Sequence, residues 1–253
     1  MNDRRGSATS ATSPVPLQPL TAEPDLAGQI THTEHLPARP ASYEEPEAPL
    51  HPDVAARLEA RGVVNLWKHQ ARSIDLLRAG RHVVVATGTS SGKSLCYQAP
   101  IVESVVTETR DTALMLFPTK ALAHDQLRSL RSWLVSGLRA VTYDGDTAPE
   151  DRTWARTNAN VVLTNPDMLH VGMLPFHEKW ATFFTRLRWV VIDELHVLRG
   201  IFGSHVAHLL RRLRRVCAHY GSEPSFLLRV RHDRQPRRTR ERTQRSRRHH
   251  GHD

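Results

Sequence analysis

Cysteine is nearly absent: Cys96 and Cys217 are the only two in 253 residues. Two thiols make neither a disulfide framework nor a zinc site, so each is expected as a small core residue. Long apolar runs are missing too. No stretch has the length of a signal peptide's apolar segment or of a membrane span, which predicts a soluble, cytoplasmic protein without a membrane partner. There is no internal repeat. Large apolar residues are scarce in residues 1–50, which are rich in Pro, Ser, Thr, Ala and Glu. That composition predicts a disordered leader.

Hydrophobic residues make up 39% of the chain, enough for a core over the remaining length. The net charge of +9 is uneven. Residues 229–253 hold ten Arg against three acids, a net of +7, which leaves only about +2 for the other 228 residues. The basic balance therefore describes the tail and not the body.

From His51 onward short apolar runs alternate with longer amphipathic ones. Residues 52–61, with Val54, Ala55 and Leu58 on one face, predict a helix. Residues 69–79 predict another, closed by Gly80. Strands are predicted over 83–86, 113–117, 140–143, 161–163, 189–192 and 225–228, with helices over 93–106, 120–136, 152–157 and 204–219. In the last, Val206, Leu209, Leu210, Leu213, Val216 and Cys217 follow the spacing of one buried face. Near-continuous apolar strands separated by helices imply a doubly wound parallel α/β domain over 51–228. Ligands of such folds sit at the carboxyl ends of the strands.

"VVVATGTSSGKS", residues 83–94, carries the most chemistry. A buried strand runs into a Gly/Ser/Thr loop and then a helix, which is the layout of a phosphate-binding P-loop. Thr87 stands where the strict pattern has Gly, with Gly88 beside it. Thr87, Gly88, Thr89, Ser90, Ser91 and Gly92 would wrap the phosphates of ATP. Lys93 would reach the β- and γ-phosphates, and Ser94 would hold Mg²⁺. "RWVVIDELHVLRG", 188–200, supplies an acidic strand end. There Asp193 would bind the metal through water and Glu194 would orient and deprotonate the attacking water. "HEKW", 177–180, lacks the second His of a zinc-binding helix and carries no metal reading.

Taken together these motifs resemble the superfamily 2 DEAD/DEAH-box helicases. The box is Asp193, Glu194, Leu195 and His196, which implies a catalytic part for His196. "LWKHQ" resembles the family's Gln motif and places Gln70 on adenine. "FPTKALAHDQ" resembles motif Ia, with Pro118, Thr119 and Lys120 near a nucleic-acid backbone. "YDGDT" resembles the segment that brings Gly145 there, and "TNPDMLH" resembles motif Ib, with Thr164, Asn165 and Pro166 against the strand. The resemblance spans about 50–228 and implies a RecA-like ATPase domain whose partner is nucleic acid, single-stranded DNA foremost. "FGSHVAHLLRRLRRV" narrows it to a bacterial subgroup of large helicases related to a RecQ-like repair helicase of yeast.

In this family the strand after the box leads into Ser-Ala-Thr. Here the strand runs instead into "RVRHDRQP". With GC-rich codons, CGC GTC CGC CAC GAC CGC CAA CCC, reading one base later gives Ala-Ser-Ala-Thr-Thr-Ala-Asn. A one-base shift near codon 229 is therefore expected, replacing the rest of a longer helicase by a disordered arginine-rich tail over 229–253. The second motor domain, with its arginine finger, would be lost. Three readings stand: a helicase motor domain, a crippled ATP- and nucleic-acid-binding remnant, and a small-molecule P-loop kinase. The last leaves "PTKAL" and "TNPD" unexplained.

Overall fold

The computed structural model describes residues 40–87, 92–107, 110–194 and 200–231. The chain divides into a unit ending at Ala41 and a body beginning at Ser42. Within the body run α1 (Pro52–Ala60), α2 (Lys68–Arg78), β1 (Val83–Thr87), α3 (Leu95–Val106), β2 (Thr112–Leu116) and α4 (Lys120–Arg131). Then come β3 (Ala140–Thr142), α5 (Pro149–Asn158), β4 (Val161–Thr164), a helical stretch over 166–185, β5 (Leu187–Ile192), α6 (Gly200–His219) and β6 (Ser225–Arg231).

The six strands form one sheet in the order β1-β6-β5-β2-β4-β3, every neighbouring pair parallel. This is the arrangement that the apolar strands predict. Residues alternate across the sheet because successive side chains point to opposite faces. Ala113, Met115 and Phe117 join Val85, Ile101 and Leu227 on one side, while Leu114 and Leu116 join Trp180, Phe184 and Leu213 on the other. Each fully buried Leu- or Phe-sized side chain contributes roughly 1.5–3 kcal/mol. A further cluster packs α1, α2 and α3 around Ile74, Val102 and Trp133. Cys96 and Cys217 are both buried and unpaired.

The structure differs from the sequence reading at four places. Residues 42–50, assigned to the leader, pack on the body. Tyr43 bridges Trp67, and the Arg78 guanidinium donates to the carbonyls of Ala48 and Pro49 while clamping Glu103. The helix expected over 120–136 ends at Arg131, because Leu134 takes a positive φ of 52° and turns the chain. The stretch 166–185 is a run of short helical segments broken by a kink at Phe176. It passes through a π-turn (Leu169–Met173) and a 3₁₀ segment (Leu174–Trp180) before an α-turn (Ala181–Thr185). No single period describes such a path, so a 3.6-residue template misses it.

The fourth difference concerns the tail. β6 does not stop at Leu228 but pairs on through Arg229, Val230 and Arg231 against Val85, Ala86 and Thr87. Arg229 belongs to the sheet. The rest of the tail, and most of the leader, lie outside the described residues.

Candidate nucleotide and nucleic-acid site

All six strands are parallel, so their carboxyl ends share one rim. β1, β6 and β5 carry the P-loop and acidic residues. β2, β4 and β3 carry the residues assigned to the nucleic-acid strand. The division follows from the strand order.

On the first half, Gly92 closes the phosphate loop with φ +64°, a left-handed conformation that an L side chain adopts at a cost. A Cβ there would lie 2.5 Å from the Gln70 amide nitrogen. That nitrogen donates to the Gly92 carbonyl at 2.9 Å, and Gln70 Oε1 accepts the Trp67 N–H at 2.9 Å. Gln70 is thus buried as a strut between the start of α2 and Gly92. The Lys93 ammonium is buried and donates to the Thr87 carbonyl at 2.8 Å, across the loop it closes. Ser94 follows as the residue before α3. Gly88, Thr89, Ser90, Ser91 and His196 lie outside the described residues.

Opposite stands Asp193, 3% exposed, just past the end of β5. Its N–H donates to the Leu116 carbonyl at 3.0 Å, and its Oδ1 accepts the Glu194 N–H at 2.7 Å. Glu194 has φ +53°, a strained value for a residue with a Cβ. Burial pushes the Asp193 carboxyl up to about 6, with Arg229 pulling it back only in part.

Sequence reasoning missed the group that joins these parts. Arg229 places Nε 2.6 Å from Asp193 Oδ1, donates to Glu194 Oε1 at 2.8 Å, and donates to Ser94 Oγ at 3.3 Å. The Nε–H is not aimed at the Asp193 oxygen, so charge and not a directed hydrogen bond holds that contact. Burial disfavours the guanidinium's charge, but Asp193, Tyr97 and Glu194 outweigh it and raise its pKa above the usual value. The signal was register. Ile192 pairs with Leu228, so the next residues, Asp193 and Arg229, stand side by side. One guanidinium touching both Ser94 and Asp193 also shows that P-loop and acidic strand face a common crevice.

On the other half, Pro118, Thr119 and Lys120 follow β2. Thr119 caps α4 by accepting the Leu122 N–H, and Lys120 pairs with Asp146. Gly145 is exposed after β3, its carbonyl held by Arg152. Asn165 is half-buried and caps the turn after β4 by accepting the Met168 N–H at 2.7 Å. Thr164 and Pro166 are buried, and the Thr164 hydroxyl donates to the Tyr143 carbonyl at 2.6 Å. These two shape the rim from beneath; they do not face outward, as assigned. His177, set aside as a metal ligand, shares a 2.8 Å hydrogen bond with the Tyr220 hydroxyl.

Residues 67–228 match the profile of the DEAD/DEAH box helicases. The chain belongs to this family. It is 41% identical over 208 residues to the uncharacterized ATP-dependent helicase YprA of Bacillus subtilis, covering 80% of this chain and 28% of that protein. It is 42% identical over 211 residues to the ATP-dependent helicase HRQ1 of Saccharomyces cerevisiae, covering 81% of this chain and 19% of that one. The DUF1998 helicase MrfA bound to DNA and AMPPNP superposes with a TM-score of 0.76 at 38% identity, over 85% of this chain and 31% of that one. The RecA-like architecture expected of a DEAD/DEAH-box domain is the one observed. The chain spans less than a third of the length of each of these three proteins.

Proposed function

We propose that these 253 residues form the ATP-binding first motor domain of a DNA helicase. The observation that carries this reading is the convergence of Ser94 and Asp193 on a single cation beside Lys93. A hydroxyl and a carboxylate are hard oxygen donors of the kind that Mg²⁺ takes, so by residue type the pair suits the metal of a Mg²⁺–ATP complex, but in this chain the Arg229 guanidinium already lies against both. That metal, when bound, would neutralise charge on the phosphates. Lys93 gives the phosphates a buried positive partner, Asp193 anchors the acidic side, and Glu194 stands next to it for orienting water. Gln70 holds the loop in place from α2. Pro118, Thr119, Lys120, Gly145 and Asn165 line the neighbouring half of the rim, where a strand of nucleic acid would lie. DNA is favoured over RNA by the likeness to a DNA-bound helicase structure at 38% identity.

A second reading is favoured by Arg229 in the crevice: a domain that binds nucleotide and turns it over slowly. In phosphoryl-transfer enzymes of this type an arginine finger is worth about 10³–10⁵ in rate. The motifs found in these residues belong to the first motor domain, so the chain alone is expected to bind and not to unwind.

A fluorescent ATP analogue titrated into the wild type and Lys93→Ala tests the site. The variant should lose about tenfold or more in affinity, consistent with removal of a charged phosphate contact. Equal affinities would mean that Lys93 makes no contact with the phosphates. ATP turnover with and without single-stranded DNA then separates the two readings: stimulation supports the motor, binding without turnover the slow domain.

A further inference from the structure

Arg229 is not a surface side chain that happens to reach inward. β6 lies between the P-loop strand β1 and the acidic strand β5. Backbone pairing on both sides sets Arg229 across from Val85 and next to Asp193. Its side chain is 16% exposed, and the Asp193 side chain 3%. From there the guanidinium reaches Ser94 Oγ, Asp193 Oδ1 and Glu194 Oε1. Those three oxygens include both of the protein donors assigned to the metal.

We propose that Arg229 is a built-in cation that holds the seat of the divalent metal, so that this chain binds nucleotide without one. The inference rests on the nucleotide reading given above.

A divalent ion bound directly to Asp193 Oδ1 would sit roughly 2.1 Å from it. The arginine Nε already lies 2.6 Å from the same oxygen. An ion placed one water further out would meet the remaining donors of the fork, which point at Ser94 and Glu194. Two cations cannot share that space without strong repulsion in a poorly solvated crevice. Nor does the arginine leave easily, since its departure strands a buried carboxylate. A guanidinium at this point can also serve the nucleotide. Its fork suits phosphate oxygens as well as carboxylates, so it can neutralise the terminal phosphate in the metal's stead.

The test is a titration of a fluorescent ATP analogue into wild type, Arg229→Ala and Arg229→Gln, in Mg²⁺ and again in EDTA. Binding of Mn²⁺ in the presence of the nucleotide, read by electron paramagnetic resonance, is the second readout. The wild type should change affinity by less than about threefold between the two conditions and hold no protein-bound Mn²⁺. Both variants should gain about tenfold or more in affinity from Mg²⁺ and take up one Mn²⁺. Arg229→Gln keeps much of the volume and hydrogen bonding without the charge, so it serves if Arg229→Ala fails to fold. A wild type that tightens about tenfold with Mg²⁺ overturns the proposal while leaving the nucleotide site intact, and so does a Gln variant as indifferent to metal as the wild type. If no chain binds nucleotide under either condition, the nucleotide reading fails and this inference with it.

Discussion

Asp193 and Arg229 stand side by side at the carboxyl ends of adjacent parallel strands, 2.6 Å apart between Oδ1 and Nε. The contact is a consequence of register: Leu228 pairs with Ile192, and each strand's next residue projects into the crevice. The ion pair therefore depends on how far β6 continues, not on its tail. Breaking one partner of such a buried pair is expected to cost more than the pair contributes to stability, because the survivor stays in the crevice without its counter-charge.

Gly92 should be intolerant of a side chain. Ala there must hold a φ of +64° and bring its Cβ to 2.5 Å from the Gln70 amide. The strained backbone costs about 1–3 kcal/mol, and the Gln70–Gly92 hydrogen bond must shift as well. Gly92→Ala should therefore lower the thermal midpoint and weaken binding of an ATP analogue. Unchanged affinity and midpoint together would show that the loop relaxes freely.

A buried polar network joins α3 to α4. Gln98, fully buried on α3, accepts from the Trp133 indole at 3.0 Å and donates to Gln126 Oε1 and Ser129 Oγ on α4, each at 3.1 Å. Tyr97 donates to the same Gln126 oxygen at 2.8 Å. Gln98→Leu leaves the indole N–H of the buried Trp133 unsatisfied, a loss of about 1–3 kcal/mol. Urea denaturation should show a lower midpoint with an unchanged slope. A variant as stable as wild type would mean that water replaces the amide.

Arg78 fixes residues 48–49 to the body through its bonds to two carbonyls and its bidentate clamp on Glu103. The side chains of that pair are 22% and 16% exposed, so solvent screens part of the interaction. Arg78→Met is expected to cost on the order of 2 kcal/mol, below the range for a fully buried pair. It should also speed amide exchange at Glu47, whose N–H donates to Asp75 alongside. If exchange there is unaltered, the segment is held by Tyr43 and Trp67 instead.

Neither thiol should react in the native state. Cys96 is fully buried, and burial pushes its thiol up to about 11; burial raises Cys217 as well. At pH 8 the thiolate fraction of Cys96 is then about 0.1%, far below that of an unperturbed cysteine. A thiol-reactive dye should label neither residue in buffer and both in denaturant. Rapid labelling in buffer would show that α3 or α6 opens.

Sequence alone determined the α/β class, the number of strands in the parallel sheet, and the places of the Gly-Lys-Ser step and the acidic strand end. These are local: apolar runs of strand length, a Gly-Lys-Ser step before a helix, and an Asp-Glu pair directly after Val190, Val191 and Ile192. The arginine-rich ending was legible as composition, and composition describes an average over residues. It could not say that Arg229 would stand in the sheet beside Asp193. Only the tertiary structure decided that, by laying β6 between β1 and β5, because hydrogen-bonded register between strands far apart in the chain is set by the packing of the whole sheet. The same packing turned Gln70 toward Gly92 and buried Thr164 and Pro166 beneath the rim, placements that follow from neighbours no short motif contains.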